Sequence, residues 1–376
     1  MAVGERKDCR ESLGKVTMAQ WFPLTLKRIV KRVLYPSLFR LGVYDRHIKK
    51  YHQDKIVILW GHRVQRGDVY EDGTAPLSFE EGIGEANFEK LMRFLHEKMH
   101  PVSLEEMVNF VKGKKRIPDR AVAVTMDDGY MDNYLTAFPI LKQYRIPATI
   151  FLTTGYVNTD SIFWWDRIGE ILKRTKIQTL EMIEIKKLLH GKGFLLPDII
   201  PLGTLHRRNT AWDGLTTALR WCEAGQIPKV IELMEDQLEV KSDAHRHLHR
   251  ILNWAQVREM SQNGIDFGAH TVSHPSLRTV TSEQFMKEVL ASKQAIEGQI
   301  NKPVISFAYP YGDYDALGSD LPDQLVKWGF QCAFVCWNGY VNAHSNPFAL
   351  NRVGMENSCP GIMVNEIVDT LKNGRA

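Results

Sequence analysis

Two short strings in this sequence bring together side chains able to do chemistry. Asp127-Asp128-Gly129 follows the apolar run RAVAVTM (120–126), and His270 and His274 stand in GAHTVSHPSL, just after IDFG. Two imidazoles four residues apart and one carboxylate form a ligand set for a divalent metal that leaves coordination positions open to water. Three protein ligands with an open position describe a catalytic metal rather than a structural one. Such a metal would bring the pKa of its water towards about 7 and polarise a carbonyl oxygen. The second aspartate of the pair could then act as the base. An isolated Asp-Asp-Gly would read as a turn and a helix cap. Joined to the two histidines, it reads as a site.

These residues need elements that bring them to one place, although 143 positions separate Asp127 from His270. IVILWGHRV (56–64), RAVAVTM and ATIFLTTGYV are continuous apolar runs of the kind buried on both faces of a parallel sheet. Helical spacing lies between them: 85–99, 103–112 with a Ser103/Glu106 capping pair, and DNYLTAFPILKQYR. The alternation returns with GIDFGAH, a helix over 281–299, VISFAYPYG, a helix over 320–329, CAFVCW, FALNRVGM and a last helix from about 361. Parallel α/β folds gather catalytic groups at the C-terminal ends of their strands, so both strings belong to one rim. From about 160 to 255 the stretch is helical with no convincing strand. The expected architecture is one α/β barrel interrupted by a helical insertion.

Composition excludes several classes. The 376 residues are 44% hydrophobic and 24% charged, with a net charge of +4, which is ordinary globular usage and weak for a nucleic-acid binder. The charge is unevenly spread: residues 1–50 hold twelve basic and four acidic side chains, a net +8, which leaves −4 for the rest. In LTLKRIVKRVLYPSLFRL (24–41), Leu26, Ile29, Val30, Val33 and Leu34 share a helical face opposite Lys27, Arg28, Lys31 and Arg32, and Pro36 should end or kink this helix. With Trp21 and Phe22 ahead of it, residues 21–41 suit an anionic membrane surface as well as a packed helix with a solvated basic face. No run is long enough to span a membrane, and no continuous apolar segment near the start suggests a secretory signal. The expected organisation is a basic arm over 1–50 and a catalytic domain over 51–376, in a cytoplasmic protein peripheral to the inner membrane face. Five cysteines are an odd count and read as reduced core thiols, with Cys332 and Cys336 on one strand face.

The strings TMDDGY (125–130), HTVSHP (270–275) and FAYPYG (307–312), in this order at strand ends, resemble the motifs of the polysaccharide deacetylases, the NodB-homology domain of carbohydrate esterase family four. The resemblance covers roughly 120–370 and implies a distorted (β/α) barrel that removes N-acetyl groups from an N-acetylated sugar or polysaccharide. It implies Asp127 as the base, Asp128, His270 and His274 as metal ligands, and the backbone N–H of Tyr311 as an oxyanion donor. Zinc suits the ligand types, and cobalt, nickel or manganese could fill the same site. Three departures stand out. Ala308 occupies a position where many members carry an arginine, and Arg352 in FALNRVGM is the candidate replacement. The Leu-x-His motif that furnishes the acid is absent; His62 at the end of ILWGHRV is the preferred substitute and His344 the other. Compact members also lack the long insertion.

A lipid-linked sugar fits this substrate class, and a carbohydrate O-acetyl esterase and a non-catalytic carbohydrate-binding protein on the same fold are the alternatives. Trp164 and Trp165 are expected in a core rather than as a sugar platform. His245, His247 and His249, in AHRHLHR, are expected on a solvated helical face, because the neighbouring arginines oppose a cation there.

Overall fold

The structure is a computed structural model that describes residues 33–66, 82–189, 196–242, 249–314, 321–355 and 359–375. Trp21, Phe22, most of the expected basic helix, His245 and His247 lie outside the described residues. Pro36 sits in the first turn of the described helix Tyr35–Arg40, and the helix it should end or kink lies almost wholly outside the described residues. The next helix, Val43–Tyr51, buries Tyr44 and Ile48 in the main hydrophobic core.

In chain order the strands are β1 (Ile56–Gly61), β2 (Val64–Gln65), β3 (Ile83–Gly84), β4 (His100–Pro101), β5 (Ala121–Met126), β6 (Ala148–Leu152), β7 (Thr179–Glu181), β8 (Ile199–Pro201), β9 (Ile265–Ala269), β10 (Ser306–Ala308), β11 (Cys332–Phe334) and β12 (Val353–Gly354). Eight of them form one sheet in the order β11-β10-β9-β6-β5-β1-β12, with β4 also on β5, and every pairing is parallel. The segment 350–354 draws the two ends of this curved sheet together. Leu350 bridges Phe334 at one end, and Val353 pairs with Leu59 at the other. The result is the expected distorted (β/α) barrel.

Side-chain alternation splits each strand between two cores. Val57, Leu59, Val122, Val124, Ile150, Leu152, Phe267 and Phe307 face outward and pack with residues of the helices Glu85–Lys98, Trp254–Gln262, Ser282–Ile300 and Pro360–Asn373. Ile56, Ile58, Ala121, Ala123, Phe151, Ala308, Cys332 and Phe334 fill the inside, with Met107 and Phe110 from the helix Leu104–Val111. Gly268 keeps this interior closed, because a Cβ there would lie 2.3 Å from Phe151. The residues one step beyond the inward positions, at the C-terminal ends, form the rim.

The insertion has its own core. Ile168, Ile171 and Leu172 of the helix Trp164–Arg174 meet Leu215 and Leu219 of Leu205–Leu219 and Ile231 and Met234 of Ile227–Leu238. It is not purely helical: β7 and β8 form an antiparallel ribbon. Each strand has three residues with one buried side chain, Leu180 or Ile200, too short a pattern to separate from noise in the sequence. No described helix is long and apolar enough to cross a membrane.

Candidate active site

Asp127 and Asp128 leave the end of β5 together, and on an extended strand they would face opposite ways. A left-handed φ of +72° at Asp128, followed by +79° at Gly129, turns the chain so that both carboxylates reach the same cavity. Gly129 is needed for this turn, since a Cβ would approach Leu152 to 2.5 Å at a φ that side chains resist. Both aspartates are almost fully buried.

Their surroundings differ. Arg352, fully buried beside β12, donates from Nη1 and Nη2 to the two oxygens of Asp127, each at 2.8 Å. Its Nε donates to the Val335 carbonyl at 3.0 Å, and the Trp60 ring lies 5.1 Å from the guanidinium. Burial alone would raise the Asp127 pKa; the arginine's charge and hydrogen bonds outweigh it and hold the carboxyl below its usual value. Asp128 has no such partner. Burial, and then the charges of Asp127 and Asp166, push its pKa well up.

His270 and His274 come from the loop after β9. The loop is not helical: Thr271 and His274 have φ of +67° and +56°. The carboxylate of Glu288, on the helix Ser282–Ile300, accepts hydrogen bonds from the backbone of Val272 and Ser273 at 2.7 and 2.8 Å and fixes the turn. His270 donates from Nδ1 to the Ala308 carbonyl at 2.7 Å, which leaves a lone pair on Nε2 when the ring is neutral. Burial, with a smaller opposing contribution from Asp127, lowers its pKa to about 4, so the ring is neutral at physiological pH. His274 is neutral for the same first reason, its pKa driven well down by burial and then by His270 and His62. The rings of Trp165 (4.9 Å) and Tyr311 (4.7 Å) hold it in orientation.

The two Nε2 atoms lie 3.1 Å apart, and each is 3.5 Å from Asp128 Oδ1. That oxygen is buried with no hydrogen-bond partner. Buried carboxylate oxygens are normally satisfied, and a divalent cation answers both the orphaned oxygen and the converging imidazole nitrogens. The residues fit a metal, and among the described residues they are the one group of histidine, cysteine or acidic side chains that could hold one.

His62 sits at the end of β1 with its ring edge-on to Trp60 at 5.2 Å and its Nε2 3.9 Å from Asp128 Oδ2. Its side chain keeps 45% of its accessible surface, so solvent limits how far burial lowers its pKa. Tyr311, at φ +58° after β10, lines the cavity. His344 does not: it is exposed in a turn, with its backbone N–H bonded to Asn342.

The cavity holds about 450 Å³, and its second wall is the insertion. Trp164, Trp165, Trp212, Thr216, Thr217 and Arg220 line it. Trp164 and Trp165 each pack one side against a hydrophobic core while bordering the cavity, so the expectation of core residues describes only half of their surroundings. Trp212, Arg220 and Glu288 carried no sequence signal, because each acts across long separations. His249 corrects a clearer expectation. It is buried rather than solvated, with Nε2 3.0 Å from Glu170 and Nδ1 3.5 Å from Asp166. Both acids come from the helix Trp164–Arg174, roughly eighty residues away, so the local arginines misled. Asp166 accepts from the Tyr130 hydroxyl at 2.9 Å, and Tyr130 accepts from Trp165 Nε1 at 3.0 Å, tying the insertion to the Asp-Asp-Gly turn.

The parallel barrel thus carries a buried two-histidine, one-carboxylate cluster that could hold a metal ion, beside a clamped second carboxylate. The chain belongs to the polysaccharide deacetylase family, whose model, described as polysaccharide deacetylase, matches residues 114–179 and 228–331. The gap between those matches falls within the insertion. The chain is 21% identical over 326 residues to YxkH of Bacillus subtilis (strain 168), covering 86% of this chain and 80% of that protein. It is 29% identical over 128 residues to a poly-beta-1,6-N-acetyl-D-glucosamine N-deacetylase of Staphylococcus aureus (strain MSSA476), covering 32% of this chain and 43% of the relative. Among solved structures, the deacetylase PplD of Streptococcus pyogenes in complex with acetate shares the fold, with a TM-score of 0.51, 20% identity and coverage of 84% of this chain and 98% of that one.

Proposed function

We propose that this protein hydrolyses the acetamido group of an N-acetylated sugar in a polymer or oligomer, with Asp127 as general base and Asp128, His270 and His274 as the ligands of a divalent cation. The observation that carries this reading is the orphaned Asp128 oxygen facing two histidine nitrogens beside an ionised, clamped Asp127. A divalent cation bound there, zinc by ligand type with cobalt, nickel or manganese able to fill the same site, would polarise the acetyl carbonyl and acidify a water.

The chain's own groups account for the remaining steps. Asp127, kept ionised by Arg352, takes a proton from the attacking water while the clamp fixes both of its oxygens. Water adds to the acetyl carbon, the C–N bond breaks, and acetate and a free amine leave. His62, open to solvent at the rim, gives the nitrogen its proton as that bond breaks. The backbone N–H of Tyr311 is assigned to the developing oxyanion, where loss of one donor typically costs about 2.7–4 kcal/mol.

Acetate release from N-acetylglucosamine oligomers, with each metal supplied in turn, tests the proposal. Release should require the metal and fall by about 10²-fold or more in Asp127→Asn. Undiminished release by that variant would remove Asp127 from the mechanism. Release only from O-acetylated sugars would make the substrate bond an ester.

The arm's role is also proposed. Its basic charge, together with exposed Val33, Leu34 and Leu41 where the described chain begins, supports peripheral binding to the anionic inner face of a membrane. Co-sedimentation with anionic liposomes should be lost on deletion of residues 1–32; equal sedimentation of the two forms would exclude it.

A further inference from the structure

Arg220 closes the helix Leu205–Leu219 and reaches the point where the catalytic cavity meets a smaller one of about 170 Å³ between insertion and barrel. Its guanidinium lies 5.0 Å from the Tyr311 ring and 5.0 Å from the Trp221 ring. Two rings restrict a side chain that would otherwise lose considerable rotamer freedom on binding a ligand. Tyr311 in turn contacts His274, so Arg220 stands one aromatic ring away from the metal-ligand cluster.

The hydrogen-bonding capacity of this arginine is incompletely used. Its Nε is buried and has no hydrogen-bond partner. Its acidic contact, Nη2 to Asp313 Oδ1, is long at 3.5 Å. The same oxygen is 3.4 Å from Arg278 Nε, and the other Asp313 oxygen accepts from Ser276 Oγ at 2.9 Å, so the single charge of Asp313 is divided among several donors. A positioned, only partly paired guanidinium on a residue that lines a cavity matches the planar, two-oxygen face of a carboxylate or phosphate.

We propose that Arg220 is a specificity-determining residue that binds an anionic substituent, a carboxylate or a phosphate ester, on the sugar that carries the acetamido group or on its immediate neighbour. This rests on the deacetylase reading of the cavity and adds the class of sugar it accepts. The residue belongs to the segment that the family model skips, so the preference would be a property of this insertion.

The test uses the full-length protein with three N-acetylated oligosaccharides of equal length: neutral, bearing uronate carboxylates, and bearing a phosphate ester. Wild type should have a higher kcat/KM, by about tenfold or more, for one anionic substrate than for the neutral one, and the preference should shrink with salt. Arg220→Met should lower kcat/KM on that substrate about tenfold more than on the neutral one, and Arg220→Lys should restore part of the difference. Which anionic arm responds separates carboxylate from phosphate. Binding of the same sugars to Asp127→Asn, with and without Arg220→Met, is measured by titration calorimetry. If no substrate releases acetate, the deacetylase reading falls while the binding arm still decides the role of Arg220. A wild type without preference, or equal losses on neutral and anionic sugars in both assays, would overturn the proposal.

Discussion

At the barrel rim, side chains are fixed by partners on other elements: Asp127 by Arg352, His270 by the Ala308 carbonyl, and the His270–His274 loop by Glu288. Across the same cavity, the insertion presents indole rings, two threonines and one arginine from helices built around a separate core. The rim is suited to holding reacting groups within tight limits, which chemistry demands. The wall offers area and hydrogen-bonding faces, which suit grip and selection of a sugar. If this division is right, rim substitutions act on kcat and wall substitutions on KM.

The largest expected effect is at the rim. Asp127→Asn keeps the shape of the side chain and an oxygen that can accept from Arg352, but it removes the carboxylate proposed as the base. Acetate release should fall by about 10²–10⁴-fold in kcat, and the unfolding midpoint should fall too, because fully buried Arg352 loses its counter-charge. A comparable loss of activity on changing Trp212, across the cavity, would erase the distinction between rim and wall.

Next comes Arg352→Met. It strands a fully buried carboxylate without its counter-charge, and breaking a buried pair in this way typically costs about 3–5 kcal/mol. Urea unfolding should record that loss, and the double variant Asp127→Asn/Arg352→Met should recover part of it. No recovery would mean that Arg352 stabilises the barrel through Val335 and Trp60 rather than through Asp127.

These two residues also mark what the sequence could reveal. Asp127, Asp128, His270 and His274 were legible because each pair sits in one short string at a strand end, and the barrel was legible because its strands are uniformly apolar. Arg352 was legible only as a candidate replacement for the missing arginine; its bidentate geometry depends on the closing segment 350–354, 225 residues from Asp127. Glu288, Trp212 and the buried His249 were not legible, because what defines each is a partner on another element. His249 was misread because its neighbours in sequence are basic while its neighbours in space are Asp166 and Glu170. Local patterns report local structure, and the insertion's contribution is almost entirely non-local.

The seam between the two regions gives the third prediction. Burial pulls the His249 pKa down, but the charge and hydrogen bond of Asp166 and the hydrogen bond to Glu170 outweigh it and hold the value at about 9. Burial pushes Glu170 up, and the hydrogen bonds from His249 and Arg174 bring it to about 2. The folded His249 value lies above the ordinary 6.5, so its stabilisation is complete below that pH and is lost as pH rises through about 9. The folded Glu170 value lies below the ordinary 4.5, so its stabilisation is complete above that pH and is lost as pH falls towards 2. Both contributions are complete between about pH 4.5 and 6.5. His249→Gln should cost on the order of 3 kcal/mol at pH 6 and clearly less above pH 9, by urea unfolding. An equal cost at both pH values would mean that the ring is not charged in the seam.

The smallest effect belongs to the wall. Trp212 borders the cavity and donates from Nε1 to the Trp165 carbonyl at 3.0 Å. Trp165 in turn stacks on Phe163 at 4.4 Å and lies edge-on to His274. Trp212→Phe keeps a ring but loses this hydrogen bond and part of the indole face, a change of about 1 kcal/mol. Because no atom of Trp212 is placed among the reacting groups, that energy should appear as a several-fold rise in KM with kcat nearly constant, measured on an N-acetylated oligomer. A fall in kcat with KM unchanged would mean that Trp212 acts through Trp165 on His274. The wall would then position the rim instead of gripping the sugar independently.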